Sequence, residues 1–156
     1  YKVVKKCVKE INDLALSKGI KIEISSTLKE DDLLFADEIQ IRRVIGNMLN
    51  NGINYAYDNS KLKINIYKEN KSIFFKMTNK SNEISQTLKK QIFDKYVCGE
   101  PLQSSNGIGL GLYFCKKVIE ANEGKIKLEA NNNDNSFIIE LPILSENHAL
   151  INEIVL

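Results

Sequence analysis

Apolar residues at Val3, Val4, Cys7, Val8, Ile11, Leu14 and Ala15 recur three and four positions apart, which predicts an amphipathic opening helix. Lys18-Gly19 ends it. From Ile20 through Ile22 to Ile24 apolar and polar residues alternate, the period of a strand with one buried face. Residues 27–32 read as a polar loop, and Leu33-Leu34-Phe35 as a short strand. Asp37 is placed to cap a second helix over 37–57, with Glu38 and Gln40 in its first turn. Ile41, Val44, Ile45, Met48, Leu49 and Ile53 form its buried stripe.

Leu62, Ile64 and Ile66 alternate again, as do Ile73, Phe75 and Met77, so two strands meet at a Glu69-Asn70-Lys71 turn. A polar loop over 80–85 leads to a short helix over 86–93. A connection over 96–106 precedes a helix that runs to about Ala121, stopped by Glu123-Gly124. Ile126 and Leu128 mark a strand, and after an Asn/Asp turn Phe137 to Leu141 form its partner. Pro142 closes the domain, and 144–156 is a tail in which Leu150, Ile151, Ile154 and Val155 have the spacing of an amphipathic turn. The order α-β-β-α-β-β-α-α-β-β, rich in hairpins, predicts an α+β fold: a two-layer α/β sandwich with a mixed, mostly antiparallel sheet and helices on one face.

Composition narrows the chemistry more than the fold. A hydrophobic content of 43% supports one real core in 156 residues. The net charge of +2 gives no general field for nucleic acid. No apolar run approaches a membrane span, so no membrane contact is expected of this fragment. Three scattered cysteines and one histidine, His148 in the tail, argue for a reducing, cytoplasmic setting and against a disulfide frame, a zinc site or histidine catalysis within the chain.

The chemistry gathers in two stretches. Gly107-Ile108-Gly109-Leu110-Gly111-Leu112 alternates glycine with apolar residues and opens a helix. A glycine turn there aims unpaired N–H groups and a positive dipole end at one point, a geometry suited to phosphate. Neither the dinucleotide pattern nor the phosphate-loop pattern is met, because loop residues precede the glycines and Tyr113-Phe114 follow them. Taken alone, the glycines fit equally a turn that packs a helix against a sheet. The other stretch is the helix over 37–57, where Asn47, Asn51, Asn54 and Tyr55 share a side away from the apolar stripe. Asparagine is a mediocre helix former. Its amide oxygen suits Mg²⁺, though a solvated face in an Asn-rich chain would look the same.

Together these stretches resemble the ATP-binding catalytic domain of sensor histidine kinases, of the GHKL superfamily with Hsp90, MutL and type II topoisomerases. Arg42 to Tyr55 is similar to that family's N box, Ile92-Phe93-Asp94-Lys95-Tyr96 to its F box, and Gly107 to Leu112 to its second glycine box. Order and spacing agree over residues 1–143. The resemblance implies ATP and Mg²⁺ as ligand and cofactor, with Asn51 as the metal ligand and Asn47 facing the phosphates or the metal's waters. Tyr55 would line the adenine pocket, Asn79 would meet the base, and Ile84 and Phe93 would be further ATP-binding residues. Asn54 and Lys95 would lie toward the phosphates, Lys95 as a point charge. Gly107, Ile108, Gly109, Leu110, Gly111 and Leu112 would let the chain approach the triphosphate, and 94–106 would form a lid.

The resemblance breaks at the first glycine box, D-x-G-x-G, which falls on Asn79-Lys80-Ser81-Asn82-Glu83. Asn79 still offers an acceptor to an adenine amino group but loses the charge-assisted part of that bond. Ser81 and Glu83 stand where glycines are usual, and an inward Glu83 would repel a triphosphate. Asn54 replaces a frequent Lys or Arg. Gly52 replaces a usual Ala at about 0.8–1 kcal/mol of helix propensity. The implied function is a domain that donates the ATP γ-phosphoryl group to a histidine on a dimerisation domain outside this chain, upstream of a response regulator. Nucleotide binding would be weaker than usual for the family. Two alternatives stay open: a regulatory module of the same fold that binds ATP weakly or not at all, and a serine kinase of the anti-sigma-factor type.

Overall fold

The computed structural model describes residues 1–29, 32, 34, 36–99 and 108–143. Leu33 and Phe35 of the short strand read at 33–35, most of the expected lid over 94–106 and the 144–156 tail lie outside the described residues, and Leu34, which is described, is not in a strand. The elements are α1 (Lys2–Ser17), β1 (Lys21–Ser26), α2 (Glu38–Tyr55), β2 (Lys61–Glu69), β3 (Ser72–Lys80), α3 (Gln86–Gln91), α4 (Gly111–Ala121), β4 (Lys125–Asn131) and β5 (Asp134–Pro142). The strands form one sheet in the order β1-β2-β3-β5-β4. Only β1 and β2 run parallel; the other three pairs are antiparallel. The α+β sandwich expected from the pattern is therefore the fold.

Alternation sets the faces. Leu62, Ile64 and Ile66 of β2, Ile73, Phe75 and Met77 of β3, and Phe137, Ile139 and Leu141 of β5 point into one core. Helix α2 lies across that face and packs on α1, α4 and β3, its Val44, Met48, Leu49 and Ile53 fully covered. Gly52 now has a reason to be glycine. A Cβ there would fall 2.8 Å from Met77 Cε and 2.9 Å from Leu62 Cδ1. The close approach of helix to sheet offsets the lost helix propensity.

The ends of the helices are defined by specific contacts. Asp37 caps α2, its Oδ1 accepting from the Ile39 N–H at 2.8 Å and the Gln40 N–H at 3.1 Å. The helix stops at Tyr55, two residues short of the sequence reading, because Ala56 turns extended and the Tyr57 N–H donates to the Lys80 carbonyl at 2.9 Å. Helix α1 ends in a Schellman-type turn: the Ile20 N–H reaches the Ala15 carbonyl at 2.9 Å while Gly19 takes φ +64°. Helix α3 stops at Gln91, and Ile92 turns into the core. At the end of α4 the left-handed residue is Glu123, at φ 57°. Gly124 serves packing instead, since a Cβ would meet the Glu140 carbonyl oxygen at 2.5 Å.

Candidate functional site

The inward stripes of β3 and β5 end in polar residues. Two positions past Met77 stands Asn79, two before Phe137 stands Asn135, and the register pairs them across the strands. They are 2% and 1% exposed. The Oδ1 of each is buried without a hydrogen-bond partner in the protein. Leaving such an acceptor unmet costs about 1–3 kcal/mol, so a paired donor is to be expected when the site is in use. The orientation of Asn135 is chemically determined. Its Nδ2 donates to Ser81 Oγ at 2.6 Å and to the Asn82 carbonyl at 3.1 Å. A carbonyl can only accept, so Oδ1 is the atom left over.

Ser81 and Asn82 belong to the altered glycine box, and the structure gives both a role. Ser81 is buried, and its N–H donates to the Asn133 carbonyl at 3.0 Å. Asn82 Oδ1 accepts from the Tyr57 hydroxyl at 3.0 Å, and that hydroxyl accepts from Asn133 Nδ2 at 3.1 Å. The loop is braced through the side chain of Ser81, at a position where glycine would be usual, and through that of Asn82 beside it. Glu83 is exposed at the rim.

Asn79, Asn135 and Phe137 contribute to a cavity of about 1150 Å³. Helix α2 supplies Asn47, Asn50, Asn51, Asn54 and Tyr55 to its lining. Ile108, Gly109, Leu110, Gly111 and Leu112 supply another part, and Ile84 a third. Gly111 starts α4 beside Asn47; a Cβ on it would lie 3.9 Å from Asn47 Cγ. No side chain caps this helix start, so its first N–H groups are available to an anion. Gly109 takes φ +71°, and a Cβ would sit 2.6 Å from the carbonyl carbon of Tyr96. The Tyr96 N–H in turn donates to the Gly109 carbonyl at 3.0 Å. Tyr96 and Val97 are thus pinned over the glycine turn.

Two of the sequence-read residues stand outside the lining. Phe93 packs behind it, edge-on to Phe137 with ring centroids 6.4 Å apart. Lys95 holds its Nζ 5.0 Å from the Tyr113 ring centroid. Gly107 lies outside the described residues. Beneath Asn47, burial pushes the Cys115 thiol up to about 12, while a hydrogen bond to the Asn47 side chain pulls the other way. The thiol donates to the Val44 carbonyl at 3.6 Å. Sequence reasoning missed Asn135. The available signal was its place two residues before Phe137, on the inward face of the same strand.

The family profile described as "Histidine kinase-, DNA gyrase B-, and HSP90-like ATPase" matches residues 36–145. The chain belongs to this ATPase family. Sensor protein KdpD of Clostridium acetobutylicum is 33% identical over 113 residues, covering 70% of the chain and 12% of KdpD. Sensor protein RprX of Bacteroides fragilis is 32% identical over 128 residues, covering 78% of the chain and 25% of RprX. The chain thus spans a small part of these curated relatives. The catalytic domain of histidine kinase ThkA superposes with a TM-score of 0.80 at 27% identity, covering 90% of both chains. ThkA has also been solved with the response regulator protein TrrA; that ThkA chain matches with a TM-score of 0.77 at 25% identity, covering 92% of this chain and 40% of that one. The ATPase domain is of the histidine-kinase catalytic type.

For the ATPase domain, the donor set bears on which metal fits. No group of three or more His, Cys, Asp or Glu gathers among the described residues. The cavity instead offers amide oxygens from α2, hard donors of the kind Mg²⁺ accepts when phosphates supply the remainder of its shell. No helix among the described residues is long and apolar enough to cross a membrane.

Proposed function

We propose that this domain binds Mg·ATP and presents the γ-phosphoryl group to a histidine on a dimerisation domain outside this chain, in a sensor kinase that signals to a response regulator. The domain would occupy residues 1–143 and work in the cytoplasm, where ATP is available. The observation that carries the reading is the buried, unpartnered Asn79 Oδ1, in a cavity whose wall carries Asn51. An exocyclic amino group of a purine supplies the missing donor.

Asn79 then accepts from the base, with Asn135 Oδ1 as a neighbouring acceptor. Tyr55, Ile84 and Phe137 line the apolar part of the cavity. Asn51 would hold Mg²⁺ through its amide oxygen, with Asn47 beside it. When bound, Mg²⁺ neutralises charge on the phosphates during transfer. The N–H groups at the start of α4 orient the phosphates, and catalysis consists mainly of positioning. A second groove of about 380 Å³, which includes Ile39, Arg43 and Gly46, shares Asn47 and Asn50 with the cavity.

Calorimetric titration of the chain with ATP, with and without Mg²⁺, tests this. Saturation below millimolar ATP, tightened by Mg²⁺, is expected. No heat of binding at millimolar nucleotide sinks the nucleotide reading. Phosphotransfer to a separately supplied dimerisation domain tests the kinase step.

A further inference from the structure

A nucleoside triphosphate brings several negative charges into a cavity whose wall has almost none to answer them. Among the described lining residues, Lys18 and Glu83 are the only ones of the Asp, Glu, Lys and Arg types. The sequence from 96 to 111, which spans the glycine turn and most of the lid, contains no Lys or Arg. The other nearby cations are engaged elsewhere. Lys95 lies over Tyr113, Arg43 over Phe114 with Cζ 4.5 Å from the centroid, and Arg42 pairs with Glu10.

Lys18 comes from a different element, the end of α1, and its backbone is tied down on both sides. Its carbonyl accepts from the Asn59 N–H at 2.9 Å, and Gly19 makes the left-handed turn beside it. Its Nζ donates to the carbonyls of Ile53 at 3.4 Å and Asn54 at 3.3 Å, at the C-terminal end of α2. Those two bonds are long, and an ammonium has three protons. The helix end therefore holds a cation at the cavity wall with a donor to spare. A phosphate oxygen would form a shorter, charge-assisted bond than either carbonyl does.

We propose that Lys18 is the phosphate-binding cation of this site, delivered from α1 to the place where Asn54 offers no charge. This rests on the nucleotide reading above. Lys18 is a positioning group for the triphosphate and takes no part in bond making.

The test is calorimetry on the 156-residue chain with two ligands, Mg·ATP and adenosine, for wild type, Lys18→Met, Lys18→Gln and the double variant Lys18→Met with Asn54→Lys. The glutamine variant keeps a donor for the α2 carbonyls and so guards against simple unfolding, which circular dichroism monitors. Loss of the charge is expected to weaken Mg·ATP about tenfold and adenosine less than about twofold, with Asn54→Lys recovering most of the loss. Added salt should erode the wild-type advantage for ATP. Equal losses for ATP and adenosine, or no loss for ATP, overturn the assignment. A wild-type chain that binds neither ligand removes the nucleotide reading itself, and this one with it.

Discussion

Asn79 on β3 and Asn135 on β5 stand directly opposite each other, and each keeps a buried amide oxygen that no protein donor reaches. Two unmet acceptors side by side are costly in an empty protein and useful only to a ligand with donors. Asn79→Ala is expected to weaken Mg·ATP about tenfold by calorimetry. Asn79→Asp sets two effects against each other. A carboxylate accepts more strongly from the base, so ATP should bind tighter. The same carboxylate is buried without a cation, so the unliganded domain should melt lower than wild type. Saturating ATP should recover the melting temperature. A variant that neither tightens ATP nor loses apo stability contradicts a base-reading role for this position.

Asn135→Ala removes the donor that satisfies Ser81 Oγ and the Asn82 carbonyl. A loss of about 1–2 kcal/mol is expected, read as a melting temperature lower by about 3–5 °C. ATP affinity should fall as well, because the loop over 81–85 lines the cavity. Unchanged melting would mean the amide network is not holding the loop.

Gly109→Ala should be damaging through two mechanisms. The residue has φ +71°, and the added Cβ would fall 2.6 Å from the Tyr96 backbone. The left-handed conformation alone costs about 1–2 kcal/mol for a residue with a side chain. Relief would push residues 96–97 off the glycine turn, so ATP affinity should drop at least about tenfold while the core strands keep their amide-exchange protection. Loss of protection throughout the sheet would indicate global unfolding instead.

Cys115 should make the domain sensitive to alkali. Burial holds its folded pKa at about 12, above the ordinary value of 9.0, so the folded state keeps a proton that the unfolded state releases. The contribution is fully present below pH 9 and is lost as pH rises from 9 toward 12, at up to about 1.4 kcal/mol per unit. Denaturant titrations at pH 8 and pH 10 on wild type and Cys115→Ala should give a steeper decline for wild type. Parallel declines would show that other groups account for the effect. At neutral pH a maleimide should label exposed Cys98 first, with Cys7 and Cys115 reacting only on unfolding.

Glu123 occupies the left-handed position that follows α4, with φ 57°. Glycine adopts that conformation without a Cβ penalty. Glu123→Gly is therefore expected to raise stability by about 1 kcal/mol, measured by urea denaturation. A decrease would show that the Glu123 side chain contributes more than its backbone strain costs.

Much of this protein was determined by sequence alone. The periods of two and of roughly three and a half came from local geometry, so strands, helices and their buried faces were legible wherever the pattern ran for several residues. The asparagine side of α2 and the glycine turn before α4 were visible for the same reason. Tertiary structure decided the rest, because it depends on which distant residues meet. Nothing local tells that Asn135 pairs with Asn79, 56 positions earlier in the numbering, since strand register is settled by the whole sheet. Gly52 looked like a weakness until Met77 and Leu62 came to lie against it. Lys95 has the position of a phosphate contact and rests instead on Tyr113, while Lys18, inconspicuous at the end of α1, reaches the cavity because α1 packs on α2. A side chain's type and spacing are properties of the chain, but its neighbours are set by how helices and sheet close around one core.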